Sequence, residues 1–219
     1  MIFQPINNTD VSYLDKILKP NGHLIAVPAS VLKNLPHNDI RLWCHINAVY
    51  GIPTTELISY VQQLFVGRET IEIGAGDGVF GRELGIRSTD SYIQNSPEMR
   101  LLYKAMGQPV VTYGENVEQI DANNAVLKYK PEVVFASWVT QYVAPDEPAG
   151  TAGCMAGVDE VEMLKHIKRY IIFGNKKVHQ DKKIFKLPNL KIAEIEDANF
   201  VSRAEFQDLN RLWVIDVEQ

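Results

Sequence analysis

The segment Thr70-Ile71-Glu72-Ile73-Gly74-Ala75-Gly76-Asp77-Gly78-Val79-Phe80 joins three kinds of local structure in one short run. Thr70 to Ile73 is a β-branched stretch suited to a buried strand. Three glycines follow at alternate positions, and Val79, Phe80 and Leu84 then fall at helical spacing. Strand, glycine turn and helix start, in that order, bring backbone N–H groups up to a ligand with no Cβ in the way. Glu72 places a carboxyl group at the end of the strand, two residues before the first glycine.

Gly76-x-Gly78-x-x-Gly81 also satisfies the dinucleotide pattern, in which a pyrophosphate sits on the helix end. The acid ahead of the glycines favours a ligand with a positively charged amino acid end instead. Glu72-x-Gly74-x-Gly76-x-Gly78 resembles the first motif of the class I S-adenosylmethionine-dependent methyltransferases, and the resemblance covers roughly residues 60–219. It implies an α/β, three-layer, Rossmann-like fold: a mostly parallel seven-stranded sheet with an antiparallel last strand and helices on both faces. It also implies S-adenosylmethionine as cofactor, held by Glu72, Gly74, Gly76, Asp77 and Gly78. Two rivals stay open, a cofactor-binding module without transfer activity and a nicotinamide-dependent oxidoreductase.

Downstream, Ile86 to Tyr92 reads as the second strand, and Asp90 falls where two carboxylate oxygens would meet ribose hydroxyls. Ser96-Pro97-Glu98 starts a helix with proline at its first position, its inner face made by Met99, Leu102 and Met106. Pro109 to Tyr113 is expected as the third strand. The resemblance then places Asn116 against the adenine amino group and Val117 against its ring, with Glu115 as the rival if the register slips. Glu132 to Val139 suits a central buried strand whose C-terminal end opens beside the glycine turn.

Acceptor chemistry is therefore expected at Ser137, Trp138, Gln141 and Tyr142, with Ser137 and Trp138 also touching cofactor. The Asn-Pro-Pro-Tyr signature that amide and adenine N-methyltransferases carry at this point is absent. Residues 145–158 are dense in Gly, Ala and Pro, and a loop of that length is expected as a lid over the acceptor site. Tyr170 to Phe173 reads as the fifth strand, with Leu190 to Ile195 and Arg211 to Val217 as an antiparallel pair at the sheet edge. Between residues 165 and 186 eight Lys and Arg face a single acid, Asp181. Such a run is a solvated face or the cradle of an anionic acceptor, nucleic acid included. Tyr142 and His179 are the candidate catalytic residues, to take or orient a proton near neutral pH.

Upstream, residues 1–60 read as an N-terminal helical extension or lid, and residues 61–219 as the cofactor-binding domain. Leu57, Ile58, Val61, Leu64 and Phe65 form an apolar stripe behind a Thr54 or Thr55 cap. The net charge of −5 gives no overall nucleic-acid or membrane signature. Cys44 and Cys154 have no metal-binding spacing and are expected as free thiols in a cytoplasmic protein. No metal is expected. The methyl acceptor, a small molecule or a macromolecule, is not written in any motif.

Overall fold

The computed structural model describes residues 9–147 and 153–218. Residues 1–8 of the N-terminal extension and 148–152 of the expected lid lie outside them. Seven strands form one sheet: β1 (Thr70–Ile73), β2 (Arg87–Asp90), β3 (Val117–Gln119), β4 (Val133–Ser137), β5 (Arg169–Asn175), β6 (Leu190–Ile195) and β7 (Asn210–Val217). Their order is β3-β2-β1-β4-β5-β7-β6. β1 pairs in parallel with β2 and β4, and the β2–β3 and β4–β5 pairs are parallel too. β7 runs antiparallel to both β5 and β6, which makes it the reversed last strand that the motif implied. The pair closes the sheet with β6 at the edge and β7 inside it.

The alternation of side chains along the central strands feeds two apolar layers. Val133, Phe135, Ile171, Phe173 and Leu212 go to one face, and Val134, Ala136, Tyr170, Ile172 and Ile215 to the other. The first face is covered by α2 (Thr55–Leu64) and α3 (Val79–Leu84). Thr54 caps α2 by accepting from the Leu57 N–H at 3.1 Å, and Leu57 and Val61 beneath it are fully buried. Each such side chain contributes about 1.5–3 kcal/mol. Leu14, Leu18, Trp43 and Cys44 join the same layer, so the helices Asp15–Leu18 and α1 (His37–Ile46) continue it outward. The second face carries α5 (Ala122–Tyr129), capped by Asp121, and α6 (Glu160–Met163), capped by Asp159.

Two expectations are corrected. Pro109 to Tyr113 is irregular, and the third strand is Val117–Gln119. None of residues 109–113 is buried, whereas Val117 is, and it takes the pairing position opposite Ser88. The helix α4 (Pro97–Ala105) has its Ser96 cap but no buried residue; Leu102 and Met106 are exposed. The helical spacing there was real, but no layer lies beneath it. Among the described residues, no helix is long and apolar enough to cross a membrane, and no group of His, Cys, Asp or Glu could hold a metal ion.

Candidate active site

At the C-terminal ends of β1, β2 and β4 lies a cavity of about 410 Å³. That edge is where open α/β sheets bind ligands. Its floor is the turn from Gly74 to Asp77, and Asp90, Ser137 and Trp138 line its sides. Residues 46–51, from the N-terminal part of the chain, and 109–113 form opposite walls. The turn needs glycine for two separate reasons. Gly74 has φ +59°, and a Cβ there would stand 2.4 Å from Val139 Cγ1. Gly78 has φ +72°, and its Cβ would stand 2.5 Å from Val117 Cγ2.

Two acids organise this turn differently. Asp90 accepts the Gly76 N–H at 3.0 Å on one oxygen and the Tyr92 N–H at 2.9 Å on the other. Each oxygen keeps a further lone pair, so the carboxylate can still accept two hydroxyls from a ligand in the cavity. Burial raises its pKa above the ordinary aspartate value. Glu72 is buried more deeply, at 1% exposure, and one of its oxygens accepts the Gly81 N–H and the Ser88 hydroxyl, both at 2.8 Å. Burial pushes its carboxyl up to about 8, against the two hydrogen bonds that favour the anion. Glu72 borders the cavity while tying β1 to β2 and to α3.

Asn116 and Val117 sit behind the turn, outside the cavity lining. Asn116 donates to the Gly78 carbonyl at 3.0 Å and accepts from Arg82 at 2.8 Å. Arg82 also donates to the Asp77 carbonyl at 2.6 Å and the Leu24 carbonyl at 3.2 Å. It thereby staples the glycine turn to residue 116 and to the N-terminal region. Sequence reasoning missed Arg82; its position one turn into α3 was the available signal. Because β3 starts at Val117, the residues that meet the cavity on this side are Pro109 to Tyr113. Tyr113 stacks on Tyr92 with ring centroids 3.8 Å apart.

On the other side, Ser137 ends β4 and Trp138 follows with φ +60°, a conformation rare for a bulky residue. Its backbone N–H holds the Phe173 carbonyl at 2.8 Å, which fixes this strained step against β5. The indole N–H is buried without a hydrogen-bond partner among the described residues. An unpaired buried donor costs about 1–3 kcal/mol, a deficit that a ligand acceptor atom would relieve. Tyr142 lies beyond, in the short pair Gln141–Tyr142 with Gly153–Cys154; it is 40% exposed and lines neither this cavity nor the one beside it. Residues 156–158, the described end of the expected lid, roof the cavity and are tied down by the Val158 N–H to the Thr140 carbonyl at 2.8 Å.

A second cavity of about 280 Å³ shares Tyr50, Trp138 and Thr140 with the first. His179 borders it, at 1% exposure, with Nδ1 accepting the Asn175 N–H at 3.0 Å. Burial, aided by Lys182, holds its pKa down to about 3, far from the near-neutral value expected of it. The ring is therefore neutral and weakly basic at any ordinary pH. The lysine run does not converge on the cleft as a cluster. Lys165, Lys168, Arg169, Lys176, Lys182 and Lys183 are ion-paired with Glu162, Glu132, Asp216, Glu194, Glu160 and Glu147 respectively. The Lys182–Glu160 pair is wholly buried and shares Glu160 with the Tyr170 hydroxyl at 2.8 Å. Of the run, Lys177 and His179 border the second cavity.

No protein-family model and no curated protein matches this chain. Among solved structures, it is similar to an rRNA methylase from Streptococcus thermophilus at 9% identity and a TM-score of 0.41, over 74% of this chain and 94% of that one. It is also similar to a precorrin-6y C5,15-methyltransferase from Geobacter metallireducens at 13% identity and a TM-score of 0.36, over 75% and 88% of the two chains. Both likenesses are weak by identity and by superposition. The strand order, the reversed β7 and the glycine turn at the sheet's C-terminal edge give the chain a three-layer Rossmann-like fold.

Proposed function

We propose that the chain is an S-adenosylmethionine-dependent methyltransferase with the cofactor in the first cavity. The observation that carries this is Asp90, bonded to the Gly76 N–H of the turn while bordering the cavity, so that one carboxylate fixes the turn and offers lone pairs to a ribose. The residues present fit the cofactor. Gly74 and Gly76 leave the floor bare of side chains, Asp90 suits vicinal hydroxyls, and Asp77 gives the cavity an acidic border suited to a cationic ligand, while Glu72, its proton kept by burial, supports the strand end beneath it. Ser137 and Trp138 flank the side on which an acceptor would approach. Gly78, Asn116 and Val117 act from behind, as the support of the turn.

When bound, the cofactor supplies a methyl group on a sulfonium, transferred in line to a nucleophile as the carbon–sulfur pair returns to sulfur. The chain's own contribution is to hold and orient two reactants and to exclude water, which suffices for effective molarities on the order of 10⁵ M. Residues 46–51 and 156–158 border the cleft in that role, while the rest of the described 1–60 segment packs into the sheet's own core. A general base is needed only for an acceptor that must lose a proton. Tyr142 and His179 remain candidates in name; neither a surface tyrosine outside the cavities nor a neutral, buried imidazole favours that assignment. A module that binds the cofactor without transferring methyl is the alternative the same geometry allows.

Calorimetric titration with S-adenosylhomocysteine tests this reading. Binding in the micromolar range, about −8 kcal/mol, is expected, with no response to NADH. NADH binding in place of S-adenosylhomocysteine would overturn it in favour of an oxidoreductase.

A further inference from the structure

The second cavity is built from separated stretches of chain: Arg41, His45 and Tyr50 on and after α1, Gln108 after α4, Trp138 and Thr140 after β4, Asn175 and Lys177 to His179 at the end of β5, and Arg203 to Phe206 ahead of β7. Its charged border is Arg41, Lys177 and Arg203 against one carboxylate, Glu205. Two of these cations lie over aromatic rings. The Arg203 guanidinium stands 3.5 Å from the centroid of Tyr50, and the Lys177 ammonium 4.2 Å from that of Phe206. Neither has an ion-pair partner among the described residues, in contrast to six of the eight cations of the 165–186 run to which Lys177 belongs.

A cation held over a ring is aimed without being neutralised, because the ring quadrupole attracts it but carries no net charge. An arginine so stacked keeps its planar fork of donors for an anion. Between these cations the walls are flat and aromatic, from Tyr50, Trp138 and Phe206, and the volume suits one ring and a small substituent. The cavity meets the first across Tyr50, Trp138 and Thr140, and Trp138 there is the strained residue with an unpartnered indole N–H.

We propose that the second cavity binds the methyl acceptor, and that this acceptor is an aromatic ring bearing a phosphate or carboxylate, its anion held by Arg203 and Lys177 and its ring against Trp138. The assignment rests on the reading of the first cavity as the methyl-donor site, but its binding half stands apart from it. The unpaired cations at the border favour a charged acceptor over a purely apolar one, and the volume admits a single ring. His179 contributes here by its neutral bulk: its ring meets Trp138 edge-on, with centroids 5.2 Å apart, and holds the indole at the shared wall.

Phenyl phosphate, benzoate, phenol and inorganic phosphate, titrated separately by calorimetry and by tryptophan fluorescence, test the proposal on the whole chain. Phenyl phosphate or benzoate should bind at least tenfold more tightly than phenol, and the better of the two identifies the anion. Arg203→Gln should weaken that binding about tenfold or more, Arg203→Lys less, and Lys177→Gln severalfold. All three should leave S-adenosylhomocysteine affinity within twofold of the parent. Should Arg203→Gln fail to fold, the exposed Lys177→Gln variant carries the same comparison. Equal binding of phenol and phenyl phosphate, or charged-ring binding indifferent to both substitutions, would overturn the proposal. Loss of S-adenosylhomocysteine binding in the parent chain, with charged-ring binding intact, would instead refute the donor-site reading and leave the anion site standing.

Discussion

The glycine turn and the second cavity are neighbours that were assembled in opposite ways. The turn is local: Glu72 to Gly81 make it from one continuous stretch, and Ser88 and Asp90 hold it from the next strand. The second cavity draws on short pieces scattered from Arg41 to Phe206. A local device must repeat its spacing to work at all, so it leaves a motif. A composite one needs only that the sheet bring a few side chains together, and any element crossing the edge can supply them. Charge counted along the chain then misleads, because six of the eight cations of the lysine run are neutralised by acids, and Lys177 of that run works with Arg203 from far outside it.

The largest effect that would sharpen this contrast concerns Glu72. Its folded pKa of about 8 lies above the ordinary value of 4.5, so the folded chain keeps a proton that the unfolded chain releases. That contribution is fully present below about pH 4.5 and is lost as pH rises through about 8. Glu72→Gln should therefore flatten the fall in thermal stability between pH 5 and 8, with a difference on the order of a few kcal/mol across the window. His179 works with the opposite sign, destabilising the fold as pH falls from 6.5 toward 3, so both variants share its acid limb. Parallel stability–pH curves for parent and variant would show that Glu72 is ionised and that the turn is held by charge.

Asp90 comes next. Asp90→Ala should weaken S-adenosylhomocysteine binding by roughly 1.5–3 kcal/mol, the scale of lost charge-assisted hydrogen bonds. The thermal midpoint should fall as well, because the Gly76 and Tyr92 N–H groups lose their acceptor. An unchanged affinity together with a lowered midpoint would reduce Asp90 to a turn support, on a level with Asn116. The smallest effect separates two adjacent lysines. Lys176→Gln breaks an exposed ion pair with Glu194 and should change stability by less than about 1 kcal/mol and leave phenyl phosphate binding unaltered. A loss of binding equal to that of Lys177→Gln would mean that the whole run serves the anion.

These differences also mark what the sequence made legible. The strands at Thr70–Ile73 and Leu190–Ile195 could be read to the residue, because each is bounded by turn chemistry and carries a clear pattern. The third strand could not. Pro109 to Tyr113 has the β-branched composition of a strand, yet it lies along the cavity, and shorter Val117–Gln119 takes the pairing. Propensity cannot tell a segment that pairs from one that lines a cleft, since both are extended and half apolar. With the strand at Val117–Gln119, Asn116 and Val117 stand outside the cavity lining. α4 shows the complementary failure, an amphipathic period with no layer to receive it. Arg203 carried no signal at all: its value arises from Tyr50, more than a hundred and fifty positions earlier in the chain.

The position of β7 has a consequence for how the molecule acquires its binding sites. β7 inserts between β5 and β6, so both of those strands keep an open edge until residues 210–217 arrive. Just ahead of it, Val201–Ser202 pairs with Gly51–Ile52, and the Arg203 N–H bonds to the Tyr50 carbonyl at 2.9 Å. Residues 46–51 wall the first cavity, so neither cavity is complete before these two distant parts of the chain meet. Loop-closure entropy makes such contacts late and slow. The central strands can therefore collapse around an unfinished cleft, and the ability to bind a ligand will appear only with the last cooperative step of folding.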